Sequence, residues 1–144
     1  MKTRVFTTGV VLKGDRLLIL KRKEDDDSYP GIWDCVGGHF EKGESAEECM
    51  LREAWEESGQ RMKIVKGGPL IEYLDEYGRA VAVPFILRPD PKKAIVPSEH
   101  SEYRWIRLSE TNDFDIVPDL AKALLLFGLV KPRRTTVARG RRQA

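Results

Sequence analysis

The sequence has few cysteines and no long apolar segment. Of its 144 residues only two are cysteine, Cys35 and Cys49, and a disulfide-stabilised scaffold needs more. No apolar run approaches the roughly 18 to 20 residues that would span a bilayer. The apolar stretch near the N-terminus breaks at Lys13-Gly14-Asp15, which disfavours a secretory signal. We therefore expect a cytoplasmic protein with reduced thiols and no membrane partner.

Internal repeats and low-complexity segments are also missing, and the length suits a single domain.

The charge is unevenly distributed. Residues 131–144 hold six basic residues and no acid, whereas residues 1–130 hold the other 19 basic residues and all 23 acidic ones. We predict a domain over residues 1–130 and a flexible basic tail over residues 131–144. A domain with this excess of acidic residues would bind phosphates through metal ions and local Lys or Arg side chains.

The order of predicted elements is typical of an α/β protein with a mixed sheet and helices on its faces. Strands are expected over residues 4–12, 16–22, 32–36, 63–75, 79–87 and 103–107, with a turn at 76–78. Helices are expected over residues 46–58 and 117–127. Ser45 and Glu48 have the spacing of a capping box, and Gly59 is placed to end the first helix.

Three glutamates lie on one side of the first predicted helix. At about 100° per residue, Glu53 and Glu57 fall along the apolar stripe that contains Met50 and Ala54, and Glu56 flanks them. Carboxylates this close repel one another unless a cation lies among them. A divalent ion such as Mg²⁺ or Mn²⁺ suits hard oxygen ligands. The alternative is a solvated helix with ordinary i,i+4 ion pairs, in which Arg52 would contact Glu56 and Glu48.

The loop before this helix is rich in glycine. Gly37, Gly38 and Gly43 allow the backbone to approach a ligand closely. Glu44 precedes the Ser45 cap and so lies near the positive end of the helix dipole. The alternative is a plain strand-to-helix turn without a ligand.

Together these residues resemble the Nudix box of the MutT-like hydrolases. Five residues separate Gly38 from Glu44, and seven more precede the run Arg52 to Gly59. The seven identities that match the box are Gly38, Glu44, Arg52, Glu53, Glu56, Glu57 and Gly59. The flanks 30–34 and 99–105 also resemble the family, so that the similarity spans residues 4–127. Gln60 is a departure, because the family pattern has an aliphatic residue there.

The resemblance implies a Nudix-type α/β/α sandwich that hydrolyses a nucleoside diphosphate linked to another group, with Mg²⁺ or Mn²⁺. It implies that the metal is bound by Glu53, Glu56, Glu57 and the carbonyl of Gly38. Glu44 would be a further ligand or a support for the site, together with Arg52. The general base would be Glu53, or else Glu99 or Glu102 from the later acidic loop, and the sequence leaves this choice open.

Several residues outside the box are candidates for substrate binding, and each has a simpler alternative. Arg22 and Lys23 end the second predicted strand and could contact a phosphate, or could be solvated charges. Trp33 and Tyr73 could stack on a base, or could belong to the core. Tyr77 occupies a position where dinucleoside polyphosphate hydrolases of the family carry a tyrosine, but it also fits a hairpin turn.

The compact chain favours hydrolysis of a nucleoside triphosphate, oxidised nucleotides included, to the monophosphate and pyrophosphate. The proline that marks ADP-ribose hydrolases is replaced by Glu76. One alternative is a dinucleoside polyphosphate hydrolase. Another is an RNA 5′-end pyrophosphohydrolase whose basic tail contacts nucleic acid. A third is a non-catalytic nucleotide sensor, which the intact box argues against. The sequence is compatible with a monomer or a homodimer.

Overall fold

The computed structural model describes residues 2–97 and 102–132, which form seven strands, two α-helices and one 3₁₀ helix. The strands are β1 (Thr3–Lys13), β2 (Arg16–Lys21), β3 (Trp33–Asp34), β4 (Lys63–Gly67), β5 (Ile71–Asp75), β6 (Gly78–Arg88) and β7 (Glu102–Arg107). The helices are α1 (Ala46–Ser58), α2 (Pro118–Leu126) and the 3₁₀ helix Leu108–Asp113. The predicted α/β class with a mixed sheet is confirmed.

The centre of the sheet is a parallel pair of long strands, β1 and β6, in register from Thr3 opposite Arg79 to Val11 opposite Leu87. All other strand pairs are antiparallel: β2 pairs with β1, β7 and β3, whereas β4 and β5 both pair with β6. The predicted single strand over 63–75 is in fact two strands. Pro69 lies between them and has no N–H to donate to a sheet ladder.

The two helices cover opposite faces of the sheet. On one face, Met50 and Ala54 of α1 pack into a core cluster with residues such as Leu18 and Leu87. On the other face, Leu120 and Leu124 of α2 pack into a second cluster, whose other members include Val10, Leu17, Ile19, Ile71 and Ala82. This three-layer arrangement is the sandwich that the family resemblance implied.

Helix α1 has the predicted bounds, and both of its ends are fixed as expected. The Ser45 hydroxyl accepts from the Glu48 amide at 3.1 Å, and the Glu48 carboxylate accepts from the Ser45 amide at 2.9 Å. Gly59 ends the helix in the left-handed conformation with φ of 72°. The 3₁₀ helix was not predicted, because its six mostly polar residues, Leu108–Asp113, show no apolar periodicity.

Both cysteines are buried and free, as the composition predicted. No helix in the parts of the chain that the structure describes has the length and apolar character needed to cross a membrane. The predicted flexible tail falls almost entirely on residues 133–144, which lie outside the described residues.

Candidate active site

A cleft of about 560 Å³ brings together residues from five parts of the chain. Glu53, Glu56 and Glu57 of α1 line one end of it, next to the glycine-rich loop. The other end reaches the α2 side of the sheet, where it is lined by Arg4, Phe6, Tyr29, Asp34, Tyr73 and Asp119. A volume of this size falls in the range of small-molecule sites. An elongated ligand can therefore contact the glutamates with one end and the sheet with the other.

Glu57 is the most enclosed of the three glutamates. Its Oε1 accepts a hydrogen bond of 2.8 Å from the Gly37 amide. A side chain on Gly37 would overlap the carbonyl oxygen of Thr7, so only glycine allows the loop to pass here. Burial raises the pKa of Glu57 well above its ordinary value, and the negative charges of Asp34 and Glu53 add to this effect.

Glu53 lies directly against Gly38. A Cβ atom on Gly38 would lie only 2.5 Å from Glu53 Oε1. Burial raises the pKa of Glu53, and its hydrogen bond with Arg52 opposes this shift in part. The Gly38 carbonyl, which the family resemblance proposed as a metal ligand, accepts from the Thr7 amide at 3.0 Å. Its role as a ligand stays a prediction.

Arg52 connects the carboxylates of the box. Its guanidinium donates to Glu44 at 2.6 and 3.0 Å, to Glu53 at 2.9 Å and to Glu56 at 3.1 Å. The hydrogen bonds that Glu44 accepts from Arg52 and from the Glu41 amide lower its pKa to about 2. Glu44 therefore orients Arg52, and Arg52 in turn fixes Glu53. Glu48 is occupied by the helix cap and takes no part in this network.

The donor atoms of this end suit a hard divalent cation. Carboxylate oxygens are the ligands that Mg²⁺ prefers. Burial raises the pKa values of Glu53 and Glu57, and the neighbouring carboxylates add to this effect, so a bound cation would stabilise their charged forms. A second group, Asp34, Cys35 and Asp119, lies deeper, with ligand atoms within 4.8 Å of one another. It suits Mg²⁺ less well, because burial raises the pKa of the Cys35 thiol and keeps it protonated.

Comparison with known proteins agrees with this geometry. The family model described as NUDIX domain matches residues 3–127. The chain belongs to the Nudix family. Its membership assigns it as a Nudix hydrolase, and the glutamate end of the cleft is formed by its Nudix box.

Two curated relatives of this Nudix chain are both named Nucleoside triphosphatase NudI. The protein from Enterobacter sp. strain 638 is 33% identical over 69 residues, which are 48% of this chain and 49% of that relative. The protein from Escherichia coli strain SE11 is 23% identical over 141 residues, covering 90% of this chain and all of the relative. The solution structure of the E. coli ORF135 protein superposes with a TM-score of 0.72 at 20% identity, covering 100% and 96% of the two chains.

The predicted substrate-binding residues of this Nudix hydrolase separate into two groups. Arg22 lines the cleft, where Asp34 at 2.6 Å and Asp26 at 2.9 Å hold its guanidinium. Tyr73, the other predicted stacking residue, also lines the cleft, whereas the remaining three candidates do not. Trp33 is buried in the core beside Phe114, Lys23 lies in the loop after β2, and Tyr77 packs its ring against Tyr29.

The candidates for general base are also separated. Glu53 lies in the cleft. Glu102 is at the start of β7, where it pairs with Lys21 at 3.9 Å and Arg104 at 3.5 Å, outside the residues that line the cleft. Glu99 lies outside the described residues. Within the described parts of the chain, Glu53 is therefore the candidate base that lies beside the other glutamates of the box.

Sequence analysis named Tyr73 but missed other residues at the inner end of the cleft, which reaches the α2 side of the sheet. Asp119 is 7% exposed and accepts from the Thr8 hydroxyl at 2.8 Å. Burial and the charge of Asp34 raise its pKa to about 7. In the sequence it is only an acid in the first turn of a helix, and its contact with Thr8 joins residues 111 positions apart. Tyr29, whose hydroxyl donates to Asp75, and Arg4 were missed for the same reason.

Proposed function

We propose that the protein is a Mg²⁺-dependent pyrophosphohydrolase that converts a nucleoside triphosphate, oxidised nucleotides included, to the monophosphate and pyrophosphate. The observation that carries this proposal is the two-ended cleft, with Glu53, Glu56 and Glu57 at one end and aromatic and polar side chains at the other. Phosphates with a metal ion fit the first end, and a nucleoside fits the second. The two NudI relatives, named as nucleoside triphosphatases, support the choice of substrate.

The residues of the cleft have distinct tasks in this reaction. The divalent ion would be held by Glu53, Glu56 and Glu57, and when bound it neutralises phosphoryl oxygens and acidifies a water molecule. Water adds its oxygen to a phosphorus atom while the bond to the bridging anhydride oxygen breaks. Glu53, which lies in the cleft beside the other two glutamates, accepts the proton of that water. Arg52 holds Glu53 in position from the side.

The inner end would bind the nucleoside. Tyr73 and Phe6 offer aromatic surface, and Asp119 offers a polar group to the edge of a base. Arg22 lies between the two ends and is held by Asp34, so its guanidinium can meet a phosphate without a large loss of side-chain freedom. We further propose that the protein works in the cytoplasm, since its two buried cysteines are free thiols.

A phosphate-release assay tests the proposal. Purified protein is incubated with Mg²⁺ and the four nucleoside triphosphates, oxidised guanine nucleotides, ADP-ribose, dinucleoside polyphosphates or 5′-triphosphate RNA, with pyrophosphatase to reveal pyrophosphate. Glu57→Gln is compared with Glu47→Gln, an exposed glutamate of the same helix. We expect triphosphate turnover that EDTA abolishes, that Glu47→Gln retains, and that Glu57→Gln loses by at least about 100-fold.

Other results would decide between the alternatives. Turnover of only ADP-ribose, dinucleoside polyphosphates or 5′-triphosphate RNA would reject the proposed substrate but leave the protein a hydrolase. Nucleotide binding without turnover of any compound would reject the enzyme and indicate a sensor.

A further inference from the structure

Three neighbouring strands place a basic residue at the same end and on the same face of the sheet. In the spatial order β1, β2, β7, these residues, which we call the basic row, are Lys13, Arg16 and Arg107. Arg16 is opposite both Lys13 and Arg107, so the three side chains share one face. Arg88 and its partner Lys63 project from the other face, because Leu87 rather than Arg88 is aligned with Val11, two residues before Lys13. With strands about 4.8 Å apart, the row extends over about 10 Å.

The basic row is exposed and not neutralised. All three side chains are exposed, and none forms an ion pair with any residue in the ranges 2–97 and 102–132. The acids nearest in the chain are Asp15 and Glu110, and Lys63 and Arg88 add positive charge at the same end from the other face. This end of the sheet is therefore positive, although residues 1–130 as a whole are acidic.

Aromatic side chains border the row on β7. Trp105 and Tyr103 are two and four residues before Arg107, so the three project from the same face of the sheet. Lys13 Nζ lies 5.6 Å from the centre of the Trp105 ring. Tyr103 is 37% exposed, which leaves part of its ring available for stacking. Cations beside an exposed aromatic ring are the features with which proteins hold single-stranded nucleic acids.

We propose that the basic row and Tyr103 form a binding surface for single-stranded nucleic acid, recognised by its phosphodiester backbone. Three cations on long side chains, spread over about 10 Å, can contact up to about three successive phosphates of a single strand. Stacking on Tyr103 requires an unpaired base, which favours a single strand over a duplex. The surface shares no residue with the glutamate cleft, so this inference stands whether or not the proposed hydrolysis is correct.

Fluorescence anisotropy with the full-length chain tests this surface. The probes are fluorescein-labelled U₁₅ RNA and dT₁₅ DNA, titrated at several KCl concentrations. The row variant is Lys13→Gln/Arg16→Gln/Arg107→Gln. Its matched control, Lys2→Gln/Lys66→Gln/Lys122→Gln, removes three exposed lysines elsewhere and changes the net charge equally.

We expect the row variant to bind U₁₅ at least about tenfold more weakly and its salt slope to fall by about 2, at about 0.7 per phosphate contact. The control variant should stay within about threefold of the wild type. Tyr103→Ala should bind about tenfold more weakly with an unchanged slope, because it removes stacking rather than charge. Similar affinities for U₁₅ and dT₁₅ support recognition of the backbone.

Four results would overturn the inference. These are no binding of either probe by the wild type at low salt, equal losses in the row and control variants, a difference of more than tenfold between U₁₅ and dT₁₅, and a loss found only in a tail variant, Arg133→Gln/Arg134→Gln/Arg139→Gln. Thermal melting and nucleotide hydrolysis of the row variant should match the wild type, which separates this test from that of the proposed function. Single Lys13→Gln and Arg107→Gln variants provide a second measure, each lowering the slope by about 0.7.

Discussion

The Arg52 guanidinium contacts the Glu44 carboxylate at two points, Nε to Oε2 at 2.6 Å and Nη2 to Oε1 at 3.0 Å. This two-point contact fixes the plane of the guanidinium and leaves Nη1 to donate to Glu53 and Glu56. A residue eight positions before Arg52 thereby sets the orientation of the glutamate that we propose as general base.

Arg52→Lys keeps the charge but removes the two-point contact. We expect kcat to fall about 100-fold, because a shift of about 1 Å in Glu53 is enough for such a loss. The change in KM should be smaller. Steady-state kinetics on the preferred nucleotide measure both. Arg61→Lys, at an exposed position just beyond α1, is the matched control and should behave like the wild type. A fully active Arg52→Lys would show that Glu53 needs no such support.

Gly38→Ala introduces a methyl group where the Glu53 carboxylate now lies, at 2.5 Å from Oε1. We expect Glu53 to be displaced, with a fall in kcat of about 100-fold and a higher Mg²⁺ requirement. Activity measured against Mg²⁺ concentration checks both effects. Gly67→Ala is the control, since its methyl group would meet the Phe85 ring at 3.3 Å and the Pro84 carbonyl oxygen at 3.9 Å, and none of these residues lines the cleft. Wild-type kinetics for Gly38→Ala would contradict the arrangement of the site.

Asp119 makes the stability of the protein depend on pH. Its pKa is about 7 in the folded chain against an ordinary value of 3.8, so the folded state binds more protons between these values. Its contribution is complete below pH 3.8 and is lost as the pH rises through about 7. Asp119→Asn has no carboxyl group to titrate at this position, so its stability does not fall for this reason as the pH rises.

Urea unfolding from pH 4 to pH 8, without added metal, measures the effect. We expect the free energy of unfolding of Asp119→Asn, relative to that of the wild type, to increase by about 2–4 kcal/mol between pH 4 and pH 8. Asp115→Asn, at an exposed position four residues earlier, should follow the wild type. Parallel curves for wild type and Asp119→Asn would show that Asp119 titrates normally.

Gln60 is buried at 1% exposure and holds the loop after β6 to the end of α1. Its amide donates to the carbonyls of Lys93 at 2.8 Å and Ala94 at 3.2 Å, and it accepts from the Asp90 amide at 3.0 Å. Gln60→Leu would leave these backbone groups without partners. We expect a loss of about 2–4 kcal/mol in unfolding free energy, measured by urea denaturation.

Ser109→Ala, at an exposed position of the 3₁₀ helix, is the control variant, and its free energy of unfolding should match that of the wild type. An unchanged or higher stability of Gln60→Leu would mean that the aliphatic residue usual in the family serves equally well here.

Local features of the fold could be predicted from the sequence. The bounds of α1 followed from Ser45, Glu48 and Gly59, because caps are set by residues adjacent in the chain. The break between β4 and β5 was missed, since an extended segment with one proline does not show where the pairing with β6 stops. The parallel pairing of β1 with β6 could not be derived from periodicity, because alternation indicates a strand but not its neighbour.

The candidate site shows the same division. The glutamates and Arg52 lie within one helix, so their spacing predicted that they lie together. Trp33 and Tyr77 fit substrate binding by residue type, but the core and the β5–β6 turn take them away from the cleft. Asp119 and Tyr29 reach the cleft only through contacts across the chain. The basic row has the same origin, since Arg107 is far in the chain from Lys13 and Arg16 and is aligned with them only by the pairing of β7 with β2.

The parallel pairing of β1 and β6 also affects the order in which the protein is assembled as it is synthesised. The first strand ends at Lys13, and its central partner is complete only at Arg88. At about 5–20 residues per second, the ribosome takes about 4–15 s to supply the difference. During this interval α1 with its glutamates is synthesised when only β1, β2 and β3 are available to it, and the part of its core that includes Phe85 and Leu87 of β6 is still missing. We therefore expect the nascent chain to gain protease resistance only after β6 emerges, and folding to be slow for a domain of this size.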